Sequence, residues 1–303
     1  MVDCIRLRDK NILLPECFMV NPEPFEQFGL EFNPHKSKGI MKGYTSYFEG
    51  FNLFEGFNLR YFPYGLHLEN SIHKFSNGNN YSDFLFTQML ASIEKISNNF
   101  HSEARNFEVG EFEFGLNIFS TIDISELIAR SKICKLKEAK LMKNSSGKIY
   151  GVRFEFTHYA LKIYNKTLQV FIQNKETIPD NTLRIELVVK RKQAIFNCIK
   201  TLEDFKNRDN LILIFGKMIT TLGEVILLPS MKAIEKLSES DLEFLFAGYT
   251  SDFWENLKHR SKNRHHYKRV LHKNLVDSIS DGDEIIARII IALYTKFMYL
   301  LNH

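Results

Sequence analysis

Apolar and polar side chains alternate in short runs through the first two-thirds of the chain, and the runs are rich in phenylalanine, tyrosine and β-branched residues. Alternation with a period of two places one face of a strand against a core and the other toward water. Glu111 to Phe119, Val152 to Tyr164 and Leu183 to Val189 are the clearest such strands. Tyr81 to Asn99 is different: Phe84, Phe86, Met89, Leu90, Ile93 and Ile96 recur at helical spacing, and Ile124 to Arg130 predicts a short helix after a cap at Asp123 or Ser125.

Beyond about Lys200 the pattern turns helical, over Thr201 to Leu213, Gly216 to Leu222, Leu242 to Leu257 and Glu284 to Leu301, with a break at Pro229. Ser240 and Glu243 have capping-box spacing ahead of an apolar run. The mixture predicts an α+β fold: an antiparallel sheet flanked by helices over residues 1–200, then a helical part over 201–303. One repeat interrupts the pattern, since Phe48 to Leu53 is followed at once by an identical Phe54 to Leu59. Six residues is an even number, so the duplication keeps every later side chain on its face, as a hairpin or loop tolerates.

With 44% hydrophobic residues over 303 positions the chain has enough apolar material for a core. Its longest apolar runs, such as Ile285 to Leu293, are too short or too broken by charge to span a bilayer, and no basic-then-apolar leader opens it, so the expected location is the cytoplasm. Cys4, Cys17, Cys134 and Cys198 show no zinc or disulfide spacing and are expected to be free thiols. The net charge of +4 permits a nucleic-acid partner without demanding one, so the placement of charge decides.

The stretch from Phe154 to Lys166 carries the most chemistry. Read as one strand, it puts His158, Lys162, Tyr164 and Lys166 on one face and Tyr159, Leu161 and Ile163 on the other. A tyrosine between two lysines suits nucleophilic attack on a phosphate, because the cations favour the phenolate and neutralise the phosphate. A surface tyrosine in a basic strand is the plainer explanation. Arg184 and Glu186 share a face of a second strand, and Glu111 and Glu113 share a face of a third. Strands of this kind side by side would gather carboxylates suited to magnesium or manganese, or would form cross-strand salt bridges.

In order along the chain, several segments are similar to motifs of one family. These are Met1 to Leu7, Leu68 to Asn80 (with Lys74-Phe75 and Gly78-Asn79-Asn80), Glu113 to Asn117, Lys162 to Lys166, and Leu183 to Glu186. Over roughly residues 1–200 the chain resembles the replication initiators of filamentous phages and related plasmids, the gene II/X type. A weaker echo lies near Phe253 and Trp254. The resemblance implies rolling-circle initiation: metal-dependent nicking and joining of DNA, with Tyr164 attacking a phosphodiester to leave a 5′-phosphotyrosine and a free 3′-hydroxyl. It implies Glu113 and Glu186 as metal ligands with His158 as a third, Lys162 or Lys166 stabilising the phosphate, Mg2+ or Mn2+ as the ion, and origin DNA and a host helicase as partners. Tyr159-Ala-Leu-Lys162 also spells the Tyr-x-x-Lys of other rolling-circle initiators, which makes Tyr159 the rival nucleophile. Asn70 stands where the family has glycine, and no His-hydrophobic-His triplet occurs; His67 and His73 come nearest.

Candidate DNA contacts fall in three places. Lys258 to Arg269 is the densest basic run, without a carboxylate, and offers Lys258, Arg260, Lys262, Arg264, Lys268 and Arg269 to a phosphate backbone, or else forms a solvated face. Adjacent His265 and His266 diverge on a helix and make no metal pair. Arg184 and Lys190 (with Arg191 and Lys192) carry charge at the Glu186 strand. Lys74, Asn79 and Asn80 belong to a polar loop that is either a DNA contact or a plain turn. Tyr61, Phe62 and Tyr64 are candidates to stack on bases, against a background of 27 phenylalanines that mostly fill core. The competing functions are a non-catalytic origin-binding protein or repressor, a metal-dependent nuclease without a covalent intermediate, and a structural protein.

Overall fold

Alternating runs become antiparallel ladders, and helical spacing becomes amphipathic helices, in a computed structural model that describes residues 1–13, 24–28, 30–35, 47–51, 57–62, 64–192, 195–279 and 281–303. The chain divides into two units. The first comprises residues 1–115, 188–215 and 298–303; the second comprises 116–187 and 216–297.

The first unit holds β1 (Val2–Asp9), β2 (Phe25–Gln27), β3 (Leu30–His35), β4 (Tyr47–Phe51), β5 (Asn58–Phe62), β6 (Gly65–Ser71) and most of β7 (Phe107–Phe119). Its strand order is β7-β1-β6-β5-β4-β3-β2, antiparallel throughout. Helices α1 (Ile72–Asn77) and α2 (Phe86–Asn99) bury Ile72, Phe75, Phe86, Met89, Ile93 and Ile96. Aromatic rings fill much of this core, with Phe112 meeting Phe205 edge-on at 5.3 Å and Phe100 meeting Phe107 at 6.2 Å. Edge-to-face packing of this kind adds to simple area burial.

The second unit holds α3 (Ile124–Arg130), β8 (Ser131–Cys134), β9 (Lys137–Glu138), β10 (Lys140–Lys143), β11 (Ile149–Glu155), β12 (Tyr159–Asn165) and α4 (Lys166–Asn174). Most of β13 (Thr182–Val189) and the end of β7 complete its larger sheet, ordered β10-β11-β12-β13-β7. After α5 (Arg208–Leu222), whose first half belongs to the first unit, come β14 (Val225–Leu227), which joins β8 and β9 in a small sheet, helices α6 (Met231–Ile234), α7 (Glu239–Ala247), α8 (Ser251–Arg260) and α9 (Lys262–Ile279), and most of α10 (Gly282–Asn302). The α+β class with an antiparallel sheet flanked by helices is thus observed.

Several boundaries differ from the sequence expectations for local reasons. Val152 to Tyr164 is two strands: a turn at Thr157 and His158, closed by Phe156 N–H donating to the Tyr159 carbonyl at 2.9 Å, folds β11 onto β12. Asn165 ends β12 by accepting from Leu168 N at 2.8 Å as a helix cap, so Lys166 begins α4. The period-two face therefore keeps Lys162 and Tyr164 but loses His158 and Lys166. The helix expected from Tyr81 starts at Phe86, where Gln88 Oε1 accepts from Leu85 N at 2.9 Å. Helix α3 and its Asp123 cap are as read, with Asp123 accepting from Ser125 N at 2.7 Å.

The Thr201 helix is a 3-10 turn over Leu202–Lys206, because Asp204 accepts from Thr201 N at 2.7 Å; α5 then runs unbroken through Gly216. Leu242 to Leu257 is broken between α7 and α8, and the cap is Ser238, not Ser240. Of the repeated hexapeptides, Phe48 to Phe51 lie in β4 and Phe57 to Leu59 lead into its partner β5; residues 52–56 fall outside the described residues, as does Cys17. Cys4, Cys134 and Cys198 are free thiols. Among the described residues no helix is long and apolar enough to cross a membrane.

Helices α7 to α9 pack around His272, whose Nε2–H donates to the Leu245 carbonyl at 3.0 Å among Phe244, Tyr249 and Trp254. Only a glycine fits beside it: a Cβ on Gly248 would lie 2.0 Å from the imidazole. Burial pushes the His272 pKa down, and the Leu245 bond offsets this only in part. The unfolded chain takes up this proton near pH 6.5, so the stability of the second unit is full above about 6.5 and falls as pH drops below it toward the lowered folded value. Urea midpoints at descending pH are expected to fall less steeply in His272→Gln than in wild type; identical slopes would show that His272 titrates as in the unfolded chain.

Candidate active site around Tyr164

Strands β12 and β13 are neighbours, and their polar positions face each other across the pair. Lys162 and Tyr164 share one face of β12, while Leu161 and Ile163 are buried on the other. From β13, Glu186 meets them: Oε1 accepts from Lys162 Nζ at 2.6 Å, and Oε2 accepts from Arg184 Nε at 3.0 Å and from the Tyr164 hydroxyl at 3.1 Å. Arg184 Nη1 continues to Asn117 Oδ1, at the end of β7, at 3.1 Å. Lys166, buried at the first turn of α4, donates to Gln169 Oε1 at 2.8 Å and holds its Nζ 6.0 Å from the Tyr164 ring centroid.

The cluster is nearly dry. Tyr164 is 5% exposed, the Glu186 side chain 2% and the Lys162 side chain 14%. Burial alone would raise the Glu186 carboxyl, but the charges and hydrogen bonds of Lys162 and Arg184 outweigh it and hold the group well below the usual carboxylate range. Glu186 is therefore ionised at neutral pH and a weak base. It can orient the Tyr164 hydroxyl and accept its hydrogen bond.

Sequence reasoning missed three contributors. Asn117 and Gln169 anchor Arg184 and Lys166. Gly151 on β11 stands opposite Tyr164, and a Cβ there would lie 2.4 Å from the Tyr164 Cβ and 2.9 Å from the Ile163 carbonyl. A lone glycine inside an alternating strand is the usual sign of such a close approach. Gly151→Ala is expected to cost about 1–3 kcal/mol through overpacking against backbone and to displace Tyr164. Thermal unfolding and the tyrosine fluorescence of the variant check this; an unchanged midpoint would mean that β11 shifts freely.

The other expected site residues are scattered. His158 sits in the β11–β12 turn, where its Nδ1 is buried and has no hydrogen-bond partner among the described residues. Tyr159 stacks on Phe156 at 4.6 Å with Lys217 Nζ 4.7 Å above its ring. Glu113 is half-buried on β7 in the first unit. Arg184 is fully buried.

The polar loop after α1 is held by its own side chains: Asn79 Oδ1 accepts from Tyr81 N and Ser82 N at 3.1 and 2.9 Å, and Asn80 donates to the buried Asp3 at 3.2 Å. Lys74 is exposed. Tyr61 is buried core, whereas Tyr64 is exposed and stacks on Phe62 at 5.2 Å. Lys190 is half-buried, and Lys192 donates to the Lys200 carbonyl at 2.5 Å. Lys258, Arg260, Lys262, Arg264 and Arg269 are exposed along the end of α8 and the start of α9, while Lys268 lies 4.8 Å over the Phe244 ring.

At Glu186 the carboxylate, as it is held, leaves little room for a divalent ion. Both Glu186 oxygens are engaged by cations, and an added ion would face Lys162 and Arg184 at hydrogen-bonding range. Among the described residues no group of three or more His, Cys, Asp and Glu side chains is arranged to hold a metal. No family model matches the chain, and no curated protein matches it either.

Proposed function

We propose that this protein is a rolling-circle replication initiator that nicks one DNA strand at a phage or plasmid origin, with Tyr164 as nucleophile. The observation that supports it best is the Tyr164 hydroxyl held by a carboxylate that Lys162 and Arg184 fix in turn. The ordered motifs over residues 1–200 supply the reaction class.

In the reaction the Tyr164 oxygen attacks phosphorus, the bond from phosphorus to the 3′-oxygen breaks, and a 5′-phosphotyrosine forms. The phenolic proton passes to solvent, and the leaving 3′-oxygen takes one up, so protons balance. Because one phosphodiester replaces another, the step reverses as joining. Glu186 aims the hydroxyl, and Lys162, the most exposed member of the cluster, offsets charge on the phosphate. Lys166 acts beside the ring. No step is assigned to a metal ion. The setting is the cytoplasm, where origin DNA and a host helicase meet the protein.

One observation favours a second reading. Tyr164 is nearly covered, which suits a non-catalytic origin-binding protein or repressor in which the cluster only holds the sheet together. The test is incubation with a labelled single-stranded origin oligonucleotide in manganese, in magnesium and in chelator, followed by a denaturing gel. A protein–DNA adduct that survives denaturation is the expected result. Its absence on DNA that the protein demonstrably binds moves the function to the non-catalytic binder.

A further inference from the structure

A lysine-rich ribbon lies at the edge of the second unit's larger sheet. Lys140, Lys143 and Lys148 are exposed on this ribbon and Lys137 is exposed just before it on β9, and the only carboxylate between Lys137 and Lys148 is Glu138. That carboxylate is engaged elsewhere, accepting from Ser251 N at 2.5 Å and Ser251 Oγ at 2.8 Å. Among the described residues none of the four lysines has an ion-pair partner.

The ribbon also has a shape. Strand β11 pairs with β12 only from Gly151 onward, whereas its pairing with β10 continues to Ile149 opposite Lys143, so the tip projects past the last β12 pair. Asn144 rigidifies the tip by accepting from Lys148 N at 2.7 Å and from Ser146 Oγ at 2.9 Å, with Gly147 in the left-handed region at φ 82°. Across the sheet the register puts Lys140 opposite Arg153 and Arg153 opposite Lys162; the next row of that face is Met142, Gly151 and Tyr164.

We propose that the β10–β11 ribbon grips DNA beside the strand to be cut, its lysines taking phosphates while the Lys140, Arg153, Lys162 row leads toward Tyr164. A two-stranded ribbon fits a major groove roughly 12 Å wide. Adjacent strands lie about 4.8 Å apart, so two steps from Lys140 to Lys162 cover about 10 Å, the reach of about three nucleotides at 3.4 Å each. Leu141 and Ile149 are 50% and 43% exposed, which on its own would also suit a membrane surface. The polar tip of Asn144, Ser145, Ser146 and Gly147 argues against that, having no apolar side chain to insert. The grip itself rests on charge and shape; the leading of a strand toward Tyr164 rests on the nicking reading.

The test is equilibrium binding of the full chain to a labelled duplex of arbitrary sequence across roughly 50–200 mM salt, without divalent metal. The chain is compared with the variant Lys137→Gln/Lys140→Gln/Lys143→Gln/Lys148→Gln and with arginine at the same four positions. Each lost phosphate contact removes about 0.9 from the salt slope, so the glutamine variant is expected to lose about 3 to 4 and to bind at least about tenfold more weakly, and arginine to restore both. An unchanged slope and affinity overturns the proposal and leaves the lysines as protection of a sheet edge. So does loss of binding to phosphatidylserine vesicles with DNA binding intact. Because no cleavage is needed, a lost slope with no covalent adduct would keep the grip and sink the nicking reading, whereas an adduct with an unchanged slope would do the reverse.

Discussion

Glu186→Gln is expected to destabilise the protein by about 3–5 kcal/mol, the usual cost of removing one partner from a buried ion pair. The loss comes from what stays behind. Arg184, 2% exposed at its side chain, and Lys162, at 14%, would keep their charges without the carboxylate between them. Against a total stability of about 5–15 kcal/mol this is a large fraction, and the variant should unfold at a much lower urea concentration with an unchanged m-value.

A second variant separates unpaired charge from lost packing. Glu186→Gln with Arg184→Met removes the buried charge together with its partner, and since apolar replacement of a buried pair is often neutral or stabilising, most of the loss should return. Lys162 is the member with some access to water and can be left in place. A cost below about 1 kcal/mol for Glu186→Gln would mean that the cluster is hydrated, as an exposed pair is. Acid does not mimic the substitution. Glu186 contributes stability above its unfolded pKa near 4.3, and because Lys162 and Arg184 depress its folded value, that contribution is lost only as pH falls through the depressed value.

The same cluster shows what a sequence can and cannot reveal. The pairing of Lys162 with Tyr164, and of Arg184 with Glu186, followed from period two within a strand, because each pair is two residues apart. That β12 and β13 are neighbours is a non-local fact, and no local pattern carries it. His158 was misplaced because Phe156 to Tyr159 turn without glycine, proline or asparagine, so apolar alternation seemed to continue through the hairpin. Lys166 was misplaced although a signal existed: Asn165 before Lys166-Thr167-Leu168 is a preferred helix cap.

Helices α3 and α10 were legible because their apolar spacing is sustained or their cap is strong, whereas the α7–α8 break at Gly248 to Thr250 interrupts a run whose apolar residues are nearly continuous. The lysines of the β10–β11 ribbon were passed over in the sequence, where Lys258 to Arg269 is the denser basic run. What made them stand out was the pairing that projects them as one ribbon.

Tyr164→Phe is expected to abolish the covalent adduct while leaving DNA affinity within about twofold, since it removes one oxygen and no charge. The substitution also takes a hydrogen bond from a charged acceptor, worth about 1.5–3 kcal/mol, so affinity and unfolding must be measured beside the gel. Arg184 still engages the same Glu186 oxygen, which places the expected cost at the lower end of that range. Tyr159→Phe supplies the contrast. Its ring contacts, the stack on Phe156 and the approach of Lys217, survive loss of the hydroxyl, so structure and adduct should both persist. Adduct lost only in Tyr159→Phe would move the nucleophile to the strand's opposite face, beside Lys217, and would make the Glu186 cluster a purely structural device. Adduct lost only in Tyr164→Phe, with binding retained, ties the chemistry to a phenol whose hydroxyl a fixed carboxylate already holds.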